Sequence, residues 1–201
     1  MNIEKNSRQI PSDKSYVSDN FYSDLVYGYL QVNSIMSKKG QYRVIKKSLC
    51  TATKLADKLC ISRQTASKRL KYLEVNGFIE LDKENKVYKI FPIDGNKATL
   101  LPLDTVSFLV DVCNERVLTG LAVLIKYWYQ NGAQPCDISI HYLKAIFGLS
   151  GTNRTESNKI VRHILEGLRD LGFIKFHCYS GGDGLKYRLD SVKNKREVSK
   201  C

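Results

Sequence analysis

Apolar residues recur along this chain in two rhythms, one of three to four residues and one of two, and the switches between them mark the elements. From Thr53, the residues Leu55, Ala56 and Leu59 fall at helical spacing until Cys60-Ile61-Ser62 breaks the pattern. Ser62 can cap a second helix by accepting from the free amides of its first turn. That helix is predicted to run to about Asn76, with Ala66, Leu70 and Leu73 on one face, and Gly77 supplies the left-handed stop. Phe78-Ile79-Glu80-Leu81 and Val87-Tyr88-Lys89-Ile90-Phe91 then read as two strands around the turn Lys83-Glu84-Asn85-Lys86. Upstream, Leu25, Tyr29, Val32 and Met36 predict a helix over Phe21 to Met36. Downstream, Ala98 to Leu103 reads as an extended piece stopped by Pro102, and Asp104 as the cap of a helix holding Val106, Phe108-Leu109-Val110 and Cys113. Arg116 to Gln130 is apolar on most sides, which predicts a helix buried as the floor of a second domain or the seam between domains.

The second half repeats the first. His141 to Leu149 predicts a helix through Leu143, Ala145, Ile146 and Leu149, followed by a loop from Ser150 to Thr155. Glu156 to Leu171 predicts another, with Ile160, Val161, Ile164, Leu165 and Leu168 inward. Gly172-Phe173-Ile174 then matches Gly77-Phe78-Ile79, and Ser180-Gly181-Gly182-Asp183-Gly184 forms a hairpin tip between Phe173–Tyr179 and Leu185–Leu189.

The outer face of the first capped helix carries Arg63, Gln64, Ser67, Lys68 and Lys71, all donors suited to phosphate and base edges. Helix, sharp turn, polar-faced helix and hairpin resemble the winged helix-turn-helix DNA-binding superfamily. The resemblance is carried by Leu55, Ala56, Ser62, Thr65, Leu70, Leu73, Gly77 and Phe78-Ile79. It implies a mainly α fold with small β-hairpin wings, built as two winged helix-turn-helix modules. It also implies that Arg63 to Lys71 enter the major groove of double-stranded DNA, with Ser62, Arg63, Gln64, Thr65, Ser67, Lys68 and Lys71 as DNA-binding residues. Lys83, Lys86 and Lys89, on or beside the hairpin, would hold the adjacent backbone. By the same register the second module offers Asn158, Lys159, Arg162 and His163, with Glu166 standing where the first has Lys71. That face either extends the DNA site or serves a homodimer or another partner.

Charge sharpens this picture. The 201 residues carry a formal net charge of +12, which favours an anionic partner, nucleic acid or a membrane surface. The longest apolar run, Val117 to Tyr129, is interrupted by Thr119, Gly120 and Lys126 and is too short to span a bilayer, so no membrane is expected. No charged-then-apolar leader is visible, and a cytoplasmic, nucleoid-associated protein is expected. The stretch Lys38 to Lys54 holds Lys38, Lys39, Arg43, Lys46, Lys47 and Lys54 without an acidic residue, a candidate for further phosphate contact.

The six cysteines form no CxxC pair; Cys60 and Cys113 read as small hydrophobes on helical faces, and His177-Cys178 point to opposite faces of a strand. No metal or cofactor is expected. No GxxxxGK[ST], HExxH or GxSxG motif is present, and His141, His163 and His177 form no HxH pair, so no catalysis is expected. The expected organisation is a flexible arm over residues 1–20, a first module over 21–93, a connection over 94–114, a second module over 115–190 and a basic tail over 191–201. The expected function is sequence-specific binding of double-stranded DNA as a transcription regulator. A replication initiator of plasmid or phage type binding origin repeats and a protein-interaction adaptor are the alternatives.

Overall fold

The computed structural model describes residues 6–12, 21–112, 115–147, 149, 154–182 and 184–193. The first half runs β1 (Ser7–Pro11), α1 (Phe21–Val32), β2 (Ile35–Met36), β3 (Arg43–Lys46), α2 (Ala52–Leu59), α3 (Arg63–Val75), β4 (Ile79–Asp82) and β5 (Val87–Ile90). The second runs β6 (Ala98–Pro102), α4 (Leu103–Asp111), α5 (Glu115–Gln130), β7 (Cys136–Ser139), α6 (Ile140–Ile146), α7 (Arg154–Asp170), β8 (Ile174–Gly181) and β9 (Gly184–Val192). Three antiparallel sheets result, ordered β1-β6, β2-β3-β5-β4 and β7-β9-β8.

These sheets correct the expected fold class. The hairpin β4–β5 does not stand free as a wing on a mainly α body. Its inner strand β5 pairs with β3 through Arg43↔Ile90 to Lys46↔Val87, and β2 extends the same sheet. The hairpin β8–β9 is likewise built into a sheet by β7. A further sheet joins Ser7–Pro11 to Ala98–Pro102. The molecule is an α+β mixture of seven helices and three small sheets among the described residues, and this does not establish two winged helix-turn-helix modules.

Several local expectations change with it. Ser7–Pro11, expected within a flexible arm, is a strand whose Ile10 is fully buried. The rest of that arm (1–5 and 13–20) lies outside the described residues, as do Cys113, the loop positions 150–153 and tail positions 194–201. The first helix stops at Val32, and Met36 sits exposed in β2. Asp104 lies in the first turn of α4, whose cap is Pro102, with no side-chain cap bond. Cys60, expected on an apolar helical face, is exposed and ends α2 in a left-handed conformation at φ 51°.

Strand β1 is locked in place by side chains acting as backbone. Gln31 accepts from Gln9 N (3.1 Å) and donates to Gln9 O (2.8 Å), as a neighbouring strand would on that free edge. Gln9 in turn brackets Ile93, accepting from its N–H at 2.8 Å and donating to its carbonyl at 3.1 Å. Such buried polar groups are costly if left unpaired, so the pairing fixes the register of β1 against α1 and β6.

The two halves share a backbone grammar. Helix α3 ends with Gly77 at φ +73°, bonds Gly77 N to Glu74 O and Phe78 N to Leu73 O; α7 ends with Gly172 at φ +79°, bonds Gly172 N to Arg169 O and Phe173 N to Leu168 O. Both are Schellman caps, in which the glycine tolerates the left-handed turn. The order helix, strand, helix, helix, strand, strand recurs in α1-β3-α2-α3-β4-β5 and α5-β7-α6-α7-β8-β9, with strand orders β3-β5-β4 and β7-β9-β8.

The apolar residues of both halves form one core, and α5 runs through it. Every residue from Val117 to Ile125 is buried. Such a helix has neighbours on all sides: α1, α4, α7 and β6 pack on it, and Thr99 Oγ1 donates to Ala122 O at 3.0 Å. A Cβ added at Gly120 would lie 3.1 Å from Ile164 Cγ2 and 3.3 Å from the Phe147 ring. We therefore expect Gly120→Val to overpack the α5–α7 seam and cost about 1–3 kcal/mol in urea unfolding. Unchanged stability would show that this seam can open freely.

Candidate nucleic-acid interface

The link between α2 and α3 is built by capping. Thr51 Oγ1 accepts from Lys54 N at 3.3 Å to start α2, and Leu55 and Leu59 bury its inner side. The left-handed Cys60 turns the chain, and Ser62 opens α3 by accepting from Thr65 N at 3.0 Å. Its hydroxyl also lies 2.8 Å from Thr65 Oγ1, so Ser62 and half-buried Thr65 hold the helix start. Ala66 and Leu73 are buried and Leu70 and Tyr72 partly so, which fixes the rotation of α3. Arg63, Gln64, Ser67, Lys68 and Lys71 consequently form one exposed stripe. Arg63, Lys68 and Lys71 have no ion-pair partner among the described residues. The stripe continues into exposed Glu74 and Val75, a carboxylate at its far end that the donor pattern had not included.

Charge is concentrated around this stripe. From Lys38 to Lys71 the chain holds eleven Lys or Arg residues and one carboxylate, Asp57. Lys46 and Lys47 are exposed at the end of β3, where Lys47 N donates to Lys86 O at 2.9 Å. The turn lysines Lys83 and Lys86 are also exposed, so basic residues distant in sequence meet at the junction of β3 with the β4–β5 turn. Only pairing of β3 with β5 brings them together; the sequence signal was the β-branched pair Val44-Ile45, hidden within a charged run.

Not every cation nearby is free. Lys89 Nζ contacts Glu80 at 3.3 Å and Asp82 at 3.4 Å and lies 6.0 Å from the Tyr42 ring centre. Its hydrogen bond to Glu80, followed by that to Asp82, raises its pKa. A phosphate would have to compete with both carboxylates for it. Arg43 is turned inward, donating to Ser34 Oγ at 2.8 Å and Ser34 O at 2.6 Å. Asp82 organises the turn: its two oxygens accept from Asn85 N and Asn85 Nδ2, each at 3.0 Å. These bonds, the backbone one first, pull the Asp82 carboxyl down to about 2.

The second face is differently constituted. On α7, Lys159, Arg162 and His163 are exposed while Asn158 is half-buried. Arg162 Nε donates to Glu166 Oε1 at 2.8 Å, one turn along, and that bond holds its charge in place. Lys159, Arg162 and His163 border a shallow hollow with Ile160, Ile164 and Val117 of α5. On the β8–β9 hairpin, His177 Nδ1 meets Asp190 at 3.1 Å and Arg188 meets Asp137 at 3.5 Å. Arg162, His177 and Arg188 on this side thus face acids, while Lys159 and His163 do not among the described residues.

Among the described residues no helix is long and apolar enough to cross a membrane, and no group of three or more His, Cys, Asp or Glu could hold a metal ion. No family model matches the chain, and no curated protein or solved structure matches it.

The Asp82 turn yields a pH test. Its folded pKa lies below the unfolded value of about 3.9, so its contribution is present above that value and is lost as pH falls towards about 2. We expect the melting-temperature gap between wild type and Asp82→Asn to be constant near neutrality and to close over that acid window. A gap independent of pH would mean the carboxylate charge does not hold the turn.

Proposed function

We propose that the protein binds double-stranded DNA sequence-specifically, with α3 in the major groove, and that it acts as a transcription regulator by binding and not by catalysis. One observation carries the reading: Arg63, Gln64, Ser67, Lys68 and Lys71 share one exposed face of a capped helix whose other face is anchored in the core. A B-DNA major groove about 12 Å wide admits a helix of about 10–12 Å diameter, which makes such a stripe fit to reach base edges. Arg pairs with guanine and Gln with adenine by two hydrogen bonds each, whereas Lys68 and Lys71 suit phosphates or guanine.

Around the helix, Lys46, Lys47, Lys83 and Lys86 supply sequence-independent attraction to the backbone. Lys89 is left out of this set because its charge is held by Glu80 and Asp82. The α7 face contributes at most Lys159 and His163 without breaking an ion pair. Footprinting on flanking DNA distinguishes the proposed setting from its alternative: protection over a promoter fits a regulator, and protection of repeats at an origin fits a replication initiator.

Base readout gives the first expectation. Arg63→Ala or Gln64→Ala should cost about 1–3 kcal/mol on the selected site and less on random DNA, measured by fluorescence anisotropy. Equal losses on both DNAs would reduce these residues to phosphate contacts.

The basic junction gives the second. Lys86→Ala should weaken all sequences alike and reduce the log–log salt slope by about 0.9, the value for one phosphate contact. Lys89→Met should leave that slope unchanged. The reverse pattern would move the phosphate contact from the turn to the strand.

A further inference from the structure

Away from α3, the structure has a half-open cavity of about 330 Å³ between β1, α1, the β2–β3 turn and the segment after β5. This is at the small end of the range for ligand sites, about 300–1,000 Å³. Three of the polar side chains on its wall are already engaged. Tyr27 Oη donates to Phe91 O at 2.8 Å, Gln31 is bonded to the Gln9 backbone, and Gln9 to the Ile93 backbone.

Arg43 is the one charged side chain on its wall among the described residues. Its Nε and Nη2 donate to Ser34, both to neutral oxygens, while Nη1 has no hydrogen bond and the guanidinium no carboxylate among the described residues. Arg8, only 5% exposed, adds a second positive charge near it, and burial followed by this repulsion lowers the Arg8 pKa to about 10. A half-buried guanidinium beside another cation is stabilised by an anion. The wall beside Arg43 is aromatic: the Tyr42 and Phe91 rings meet edge to face, 6.0 Å apart at 62°. Met36 and Leu100, 48% and 51% exposed, also line the cavity.

We propose that this cavity binds a small aromatic carboxylate, its carboxylate on the free edge of the Arg43 guanidinium and its ring against Tyr42 and Phe91. A guanidinium and a carboxylate match in two parallel hydrogen bonds, and an aromatic body displaces water from the rings. Inorganic phosphate satisfies the charge but not the wall, and a neutral aromatic amide satisfies the wall but not the charge. This inference stands apart from the DNA reading, since neither Arg43 nor the rings belong to the exposed stripe of α3.

Calorimetric titration of the full chain with 1-naphthoate, 1-naphthamide and inorganic phosphate tests it. Naphthoate should bind about tenfold or more tightly than naphthamide, a margin of about 1.4 kcal/mol, with phosphate weaker than both. Arg43→Gln should abolish the preference for the acid. Because Arg43 also ties Ser34, Leu100→Trp is the second variant: it fills the exposed rim and should block naphthoate while unfolding at the wild-type temperature. Equal binding of acid and amide, competition by phosphate at similar concentration, naphthoate binding unchanged in folded Arg43→Gln or Leu100→Trp, or no heat at about 5 mM ligand, a concentration that registers even millimolar affinity, would each overturn the proposal.

Discussion

Helix α5 cannot move away from α1 or α7 without opening the core, because its contacts with both leave no room for a side chain. A Cβ at Gly28 would meet Leu118 at 3.1 Å, and one at Gly120 would meet Ile164 at the same distance. Close-packed interiors transmit such constraints instead of absorbing them. Helix α1 packs on α5 and also on α3, so the buried side of α3 is set by the same core that holds the second half together. The exposed stripe of α3 follows from this, since Ala66 and Leu73 must point inward.

The proposed function follows from what is left unpaired on the surface. Arg162 of α7 and Arg63 of α3 are similar groups, but Arg162 already has Glu166 at 2.8 Å. An exposed pair of that kind adds little to stability, on the order of 0–1 kcal/mol, yet it already offsets the charge for which a phosphate would have to compete with Glu166. Arg63, Lys68 and Lys71 carry no such debt. The same distinction separates Lys86 from Lys89 within one hairpin, and it ranks residues that sequence spacing alone treats as equal.

Capping chemistry was legible in the sequence because it is local. Ser62 at the start of α3 and Gly77 and Gly172 after α3 and α7 act within five residues of their partners, and the structure shows each in that role. Strands β1, β3 and β7 were not legible, because each is four or five residues long and finds its partner tens of residues away. Ser7–Pro11 is stabilised by Gln31 and by β6, neither of which leaves a trace in the local pattern. Reading Arg43–Lys46 only as part of the basic stretch Lys38 to Lys54 had a larger consequence. It hid the strand that converts a hairpin into a sheet and that carries Arg43 to the cavity wall. In the donor face of α3 the expected residues do share one stripe, but Lys89 and Arg162 sit in ion pairs that only three-dimensional proximity reveals.

The central claim is that α3 reads the major groove, and methylation interference on a selected DNA site tests it most directly. Guanine N7 faces the major groove and adenine N3 the minor groove, so the two methylations report separately. Loss of binding on N7 methylation at guanines within the site, with N3 methylation tolerated there, is the predicted result. Binding indifferent to N7 methylation, or abolished only by N3 methylation, would contradict the account and remove α3 from the major groove.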